Sequence, residues 1–195
     1  MAHLASLNRF VVGMTRLIDT QPDEPTVLKE GKALLQELIK NDNWLPEFCA
    51  QTHPQYYQQY LLHADPLERF SVVSFVWGPG QKTPIHNHTV WGLVGILRGA
   101  EKCQLYTPDA TGKMTPTGHE LTLHPGDVEA VSPTIGDVHV VRNAFDNQAS
   151  ISIHVYGGNI GKIKRSVFDD TTGQEKVFVS GYANDRLPNI WAQEI

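Results

Sequence analysis

The sequence is poor in cysteine, in long apolar runs and in clustered basic charge. Its 195 residues include two cysteines, Cys49 and Cys103, which are too few for a disulfide framework. No apolar stretch approaches the ~20 residues that a membrane helix requires. The first ten residues lack a basic region followed by an apolar one, so we expect no signal peptide. These absences favour a reduced, cytoplasmic protein with no membrane partner.

The charge balance is mildly acidic, with a formal net charge of -5 at pH 7. No long basic tract is present, so nucleic acid is not an expected partner. The one short basic run, at residues 162–165, is typical of a solvated face. Hydrophobic residues make up 41% of the chain and charged residues 19%, which are ordinary globular values. The sequence therefore predicts one domain, residues 1–195.

Residues 1–65 have the pattern of helices. Apolar residues recur at helical spacing over residues 4–18 and again over residues 27–39. A break at residues 21–25 separates the two runs, with Asp23 or Thr26 as the N-cap of the second. We predict that this segment packs its apolar stripe on the core of the domain.

Residues 66–195 have the pattern of short strands. Turn signals such as Gly78-Pro79-Gly80 and Pro125-Gly126-Asp127 separate β-rich runs, which favours a sandwich or barrel. The predicted strands are Phe70–Trp77, Trp91–Leu97, Lys102–Tyr106, Val128–Val131, Val138–Arg142, Ser150–Tyr156 and Lys176–Ser180.

The histidines provide a possible metal site. His86 and His88 stand at positions i and i+2, so on a strand both imidazoles point to one face. His139 lies in a later β-like run, after a turn that contains Gly136. Imidazole binds zinc, copper, iron or nickel, so the ligand type alone does not choose the metal. On its own, the H-x-H pair is a weak signal.

The spacing around these histidines is that of the cupin motifs. Gly80, His86, His88, Gly92 and Gly99 reproduce the first motif. The second runs from Gly126 to Asn143 and contains His139, with Pro133 one residue later than is usual. Two motifs in the right order predict a mainly β fold, a cupin jelly-roll β-barrel with the N-terminal helices packed on it.

One position departs from the general cupin pattern. Gly92 stands where cupins usually carry a glutamate ligand, so the site would have three neutral imidazoles and no carboxylate. A metal ion there would keep its full positive charge and several open positions. Such a site suits an anionic thiolate that binds the metal directly, because metals lower the pKa of a coordinating thiol.

A second polar cluster follows on the strand Ser150–Tyr156. Ser152, His154 and Tyr156 alternate along it, so they share one face. If that face lines the barrel, the serine orients the imidazole and the imidazole orients the phenol. The alternative is a polar patch in the barrel wall with no catalytic role.

Together, these motifs resemble those of the type I cysteine dioxygenases, the thiol dioxygenases of the cupin superfamily. The resemblance runs from about Tyr56 to Gly181, and its motifs are Trp77-Gly78, residues 84–89, residues 136–139, residues 152–156 and residues 168–173. It implies an iron(II) site that converts a small thiol to its sulfinic acid with dioxygen. It also implies that His86, His88 and His139 are the ligands, and that Ser152, His154 and Tyr156 assist catalysis.

Two departures bear on the substrate. Mammalian cysteine dioxygenases have a cysteine at the position of Gly92, crosslinked to the tyrosine that matches Tyr156, and no such bond can form here. They also hold the substrate carboxylate with an arginine near the position of Gln59. Bacterial relatives that prefer 3-mercaptopropionate are similar to this chain at both points and recruit a later arginine. The resemblance therefore implies Gln59 and Arg165 as substrate-binding residues; alternatively, Arg165 belongs to the exposed basic run.

Two other functions are compatible with a cupin. A cupin that uses another metal could be an isomerase or a dioxygenase of a carbon substrate, but such enzymes usually keep the glutamate that Gly92 replaces. A non-catalytic cupin would be a binding module, but such proteins often lose a metal histidine, and all three are present here. The sequence leaves open the oligomeric state, the pathway, and the choice between cysteine and 3-mercaptopropionate.

Overall fold

A computed structural model describes residues 4–192, so the two ends of the predicted domain 1–195 lie outside the described residues. Two helices come first, α1 (Ala5–Asp19) and α2 (Glu24–Ile39), followed by a 3₁₀ turn at Glu47–Cys49. The strands are β1 (Gln58–Ala64), β2 (Ser71–Trp77), β3 (Ile85–His86), β4 (Gly92–Arg98), β5 (Glu101–Pro108), β6 (Met114–Leu123), β7 (Val128–Val131), β8 (His139–Asn143), β9 (Ser150–Tyr156), β10 (Arg165–Phe168) and β11 (Glu175–Phe178).

The strands form two antiparallel sheets. One sheet has the order β1-β2-β9-β4-β7 and the other has the order β11-β10-β3-β8-β5-β6. Strands that are far apart in the chain are neighbours in both sheets, as a jelly roll requires. The predicted fold is therefore confirmed: it is a mainly β, cupin-like fold of two antiparallel sheets, with two N-terminal helices packed on it.

The two helices cover the outer face of the five-stranded sheet. The Asp23 side chain caps α2 by accepting a hydrogen bond of 3.1 Å from the Thr26 N–H, at the break where the sequence predicted it. Leu35 of α2 packs over Gly95 of β4, where a Cβ atom would lie only 3.0 Å from Leu35 Cγ. No helix between residues 4 and 192 is both long and apolar enough to cross a membrane.

The inner face of the five-stranded sheet turns toward the other sheet. Val73 of β2 is opposite His154 of β9, and Phe75 is opposite Ser152. Because alternate residues of a strand share a face, Phe75, Ser152, His154 and Tyr156 all point between the sheets. The interior of the barrel is therefore partly polar, whereas the layer between the helices and the sheet is apolar.

The predicted boundary between helices and barrel was wrong. Strand β1 lies within residues 1–65 and pairs with β2, so the barrel begins at Gln58 rather than at residue 66. The sequence analysis also missed β3, β6 and β10. Strand β6 contains Pro116 and Gly118, which are turn signals in most contexts, but it runs along the sheet edge beside β5 alone, where a missing N–H is tolerated.

We expect Leu35→Ala to lower the free energy of unfolding by about 2–5 kcal/mol, because it opens a cavity between α2 and β4. Urea unfolding measures the change. Leu67→Ala is the control, since Leu67 is 73% exposed and its loss should cost less than about 0.5 kcal/mol. Equal effects of the two substitutions would contradict this packing of α2.

Candidate metal centre

Three buried histidines converge between the sheets. His86 of β3 is directly opposite His139 of β8 in the six-stranded sheet. His88 lies just beyond the end of β3, in the segment that follows the strand. The ring centroids of the three side chains are 4.8–4.9 Å apart, and one nitrogen of each lies within 4.8 Å of the others. The structure thus brings all three predicted ligands together.

Each ring has its Nδ1 atom beside another group of the protein. His86 Nδ1 is 3.2 Å from the Pro84 carbonyl oxygen, and His88 Nδ1 is 2.8 Å from Asp137 Oδ1. His139 Nδ1 is 3.4 Å from Cys103 Sγ. If each Nδ1–H donates to its neighbour, each Nε2 lone pair is left for a shared ion. This is the chemistry of a metal site whose ligands are already oriented.

Asp137 joins the two segments that carry the histidines. Its Oδ2 atom accepts hydrogen bonds from the backbone N–H of His88 at 2.9 Å and of Thr89 at 3.0 Å, while Oδ1 faces His88 Nδ1. Thr89 has a φ of 62°, which is costly for a β-branched residue, and the bond from its N–H holds it there. Asp137 therefore fixes both the turn after His88 and the orientation of its ring.

The three imidazoles are neutral at neutral pH. Burial lowers the pKa of His86 and of His139 well below the ordinary histidine value, and it also lowers the pKa of His88. Burial alone would raise the pKa of Asp137, but the His88 ring and the backbone N–H groups of His88 and Thr89 together outweigh it, and the pKa is lowered. A cation would thus meet three neutral nitrogens, with one carboxylate behind them.

The predicted row of polar side chains is hydrogen-bonded along β9. Ser152 Oγ is 2.8 Å from His154 Nε2, and His154 Nδ1 is 2.8 Å from the Tyr156 hydroxyl. The Phe75 ring stacks on His154 at 4.0 Å between centroids, and Tyr156 stacks on His88 at 5.3 Å. Burial keeps His154 neutral by lowering its pKa, and it raises the pKa of Tyr156. The row ends with its phenol against the ring of His88.

Gly92 lies directly opposite Tyr156 on the neighbouring strand β4. A Cβ atom at Gly92 would be 2.9 Å from two Tyr156 ring atoms and 3.0 Å from Val131 Cγ2. A glutamate at this position would therefore displace the tyrosine ring. Gly92 therefore has two effects: it provides no carboxylate to the cluster, and it leaves the space that the Tyr156 ring occupies.

Arg165 and Gln59 both carry buried polar atoms without partners. Arg165 is only 3% exposed, so the alternative that it belongs to an exposed basic run is wrong, although Lys162 and Lys164 are exposed. One Arg165 nitrogen donates to Ser180 Oγ at 2.6 Å, but its Nε has no partner within the described residues. Gln59 of β1 is opposite Phe75, and its Oε1 is likewise buried without a partner.

The charge of Arg165 acts on the histidine cluster. It contributes to lowering the pKa of His86 and of His88, after burial and other causes, and it opposes the rise in the pKa of Tyr156. No carboxylate within residues 4–192 forms an ion pair with it. A buried guanidinium without a counter-ion is costly, and an anionic ligand at this site would compensate it.

The sequence analysis missed the contacts of Asp137 with His88 and of Cys103 with His139. The signal for Asp137 was its position two residues before His139 in the second cupin motif. Cys103 was expected to be a buried thiol, and it is buried, with its pKa raised to about 12 mainly by burial. Its contact with His139 depends on the pairing of β5 with β8, which no local pattern reveals.

Fold and cluster together define a cupin-like protein with a buried three-histidine cluster of the kind that binds a metal ion. Comparison with protein-family models found no match. Among solved structures, a Klebsiella pneumoniae protein described as an uncharacterized conserved protein with a double-stranded β-helix domain is 16% identical, over 70% of this chain and 97% of that one, with a TM-score of 0.47.

Two further structures are similarly distant. A cupin described as RmlC-like from Desulfovibrio desulfuricans is 22% identical, over 60% of this chain and 96% of that one, with a TM-score of 0.41. An oxalate oxidase in complex with the substrate analogue glycolate is 14% identical, over 56% of this chain and 55% of that one, with a TM-score of 0.44. Similarities at this level assign no activity.

We expect His86→Ala, His88→Ala and His139→Ala each to abolish stoichiometric metal binding, because two imidazoles do not hold the ion. Asp137→Asn should weaken the affinity by about 10–100-fold, since it leaves the ligands but loosens His88. Titration of the metal-free protein with Fe²⁺ and with Zn²⁺ measures both effects.

The matched control is His124→Ala, which removes an exposed histidine outside the cluster and should leave binding unchanged. Full metal content in any of the three cluster variants would exclude that histidine as a ligand.

Proposed function

We propose that the protein is an iron(II)-dependent thiol dioxygenase that converts a small thiol carboxylate to its sulfinic acid with dioxygen. One arrangement supports this proposal above all. Three neutral imidazoles, the Tyr156 phenol and the buried guanidinium of Arg165, which has no ion-pair partner in the described part of the chain, face one interior. A cation with no carboxylate ligand attracts a thiolate, and the arginine attracts the carboxylate of the same molecule.

Bound iron(II) would supply the redox chemistry for the addition of dioxygen to the sulfur. The protein residues bind and orient the substrate and hold a proton beside it. Tyr156, held by His154 and protonated because burial raises its pKa, is the group beside the three histidines that can donate a proton and later take it back. Burial of the whole row excludes water from the reacting groups.

Substrate choice follows from the charges near the site. Gln59 offers neutral hydrogen bonds, each worth about 0.5–1.5 kcal/mol, whereas a charged bond from Arg165 is worth about 1.5–3 kcal/mol. If Arg165 holds the carboxylate and Gln59 adds no charge, 3-mercaptopropionate is the preferred thiol and cysteine is second. Cysteamine has no carboxylate and is the poorest. Nothing in the described site favours the other functions that are compatible with a cupin, namely an isomerase, a dioxygenase of a carbon substrate or a binding module.

We expect Tyr156→Phe to lower turnover about 10–1000-fold with the metal retained, because it removes a single positioned hydroxyl. Oxygen uptake with 3-mercaptopropionate and metal analysis of the same samples measure both quantities. Tyr106→Phe on β5, outside the row, is the control and should keep the wild-type rate. Wild-type turnover in Tyr156→Phe would make the row a structural patch.

We expect Arg165→Ala to raise the Michaelis constant for 3-mercaptopropionate roughly 10–100-fold, in line with the loss of one charged hydrogen bond. The constant for cysteamine should hardly change, since it has no carboxylate to lose. Lys164→Ala removes the neighbouring exposed charge and is the matched control.

Two outcomes would contradict the substrate assignment. In the first, cysteine is the best substrate and Arg165→Ala does not change the Michaelis constant. The protein would then be a thiol dioxygenase of different specificity. Alternatively, none of the three thiols could support oxygen uptake by the iron-loaded protein, and that would end the proposed function itself.

A further inference from the structure

A buried carboxyl group lies at the far end of the Ser152–His154–Tyr156 row. Glu101 of β5 is 1% exposed, and among residues 4–192 neither of its side-chain oxygens has a hydrogen bond of standard geometry. The Ser150 hydroxyl, also buried, has no partner among these residues either. Buried polar groups of a native protein are nearly always paired, so this cluster of unpaired atoms calls for an explanation.

The groups around Glu101 are those that would pair with it. The hydroxyls of Ser152 and Ser150 and the Trp77 indole N–H are close enough to stabilise its ionised form by hydrogen bonding. Burial outweighs them and raises the pKa of Glu101 to about 8, so the group holds its proton at neutral pH.

The other titratable groups of this part of the interior are Cys103, Glu129, His139 and His154. Burial holds Cys103 neutral by raising its pKa, and it holds both histidines neutral by lowering theirs. Glu129 of β7 lines the same small cavity as Glu101 but is half-buried. Glu101 is therefore the fully buried acid that lies next to the row.

We propose that Glu101 is the proton store of the site: it passes a proton to Tyr156 through Ser152 and His154 and later takes it back. This inference rests on the proposed function only for the substrate that uses the proton of Tyr156. Glu101 does not touch that substrate, so it is a positioning residue that acts through Ser152 and His154.

The hydrogen bonds of Ser152 determine which group is the donor in each hydrogen bond of the row. Its hydroxyl has one proton and two lone pairs, and the Trp77 Nε1–H donates to it at 3.3 Å. When protonated Glu101 fills the second lone pair, the Ser152 O–H must donate to His154 Nε2. Neutral His154 then carries its proton on Nδ1 and donates it to the Tyr156 oxygen. The Tyr156 O–H is left to donate toward the metal centre.

Transfer of one proton reverses every bond of the row. As Tyr156 gives up its proton, the tyrosine oxygen takes the Nδ1 proton of His154, Nε2 takes the proton of Ser152, and Ser152 takes that of Glu101. One proton has left the Glu101 carboxyl and one has reached the site, while serine, histidine and tyrosine keep their composition. The Glu101 carboxylate now accepts from Ser152, and the Tyr156 O–H now donates to His154 Nδ1, with its lone pairs toward the metal centre to receive a proton back.

The tautomer of His154 reports the direction of the row without any turnover. In the full-length, metal-free protein labelled with ¹⁵N-histidine, we expect the His154 proton to move from Nδ1 to Nε2 as the pH rises through about 8. In Glu101→Gln the side chain no longer titrates, so the position of the His154 proton should not change with pH. Glu129→Gln is the matched control and should switch as the wild type does.

Turnover of 3-mercaptopropionate gives the second readout. Glu101→Gln should be about 10–100-fold slower, a typical effect of a group behind the reacting ones, and should lose the decline in rate above about pH 8. Glu101→Asp should recover part of the rate, because it restores a group that can hold a proton.

The outcomes separate this inference from the proposed function. A His154 tautomer that stays the same across the pH range in the wild type would overturn the relay, whatever the protein oxidises. A tautomer that switches in the wild type and in Glu129→Gln, but not in Glu101→Gln, supports the relay even if thiols prove not to be substrates. A switch that persists in Glu101→Gln would show that another group controls the row.

Discussion

The carboxylate of Asp137 ties the two histidine-bearing segments into one site. It accepts two backbone N–H groups from the turn after β3 and faces the ring of His88, while its own backbone leads into His139 on β8. The His86–His139 pair across β3 and β8 then places the remaining two rings. Without this clamp, the turn at Thr89 would lose the bonds that hold its unfavourable φ, and His88 would lose its orientation.

The charges of the barrel interior depend on the same arrangement. Burial makes the three imidazoles of the cluster neutral, and Gly92 brings no carboxylate, so Asp137 behind His88 is the negative group next to the cluster. The second positive group, Arg165, is buried without an ion pair in the described part of the chain. A bound metal ion would add to the charge of Arg165, so an anionic ligand would be favoured in this interior.

Local patterns predicted the elements whose signals are local. The helical spacing, the Asp23 cap and most strands could be read from the sequence because a period of 3.6 or 2 and a turn signal are properties of neighbouring residues. Strand β1 begins with two glutamines, and β6 contains proline and glycine, so the composition of these two segments does not predict strands. They are strands because β2 and β5 offer them a complete set of backbone partners.

The sequence by itself determined that three histidines and an alternating Ser–His–Tyr row would be available on a cupin scaffold, because motif spacing and strand period are written along the chain. Only the tertiary structure decided that Arg165 is buried, that Cys103 touches His139 and that Glu101 lies beside Ser152. These neighbours come from strands far apart in the chain. Burial and proximity, and with them charge state and pKa, are set by register between strands, which no single segment encodes.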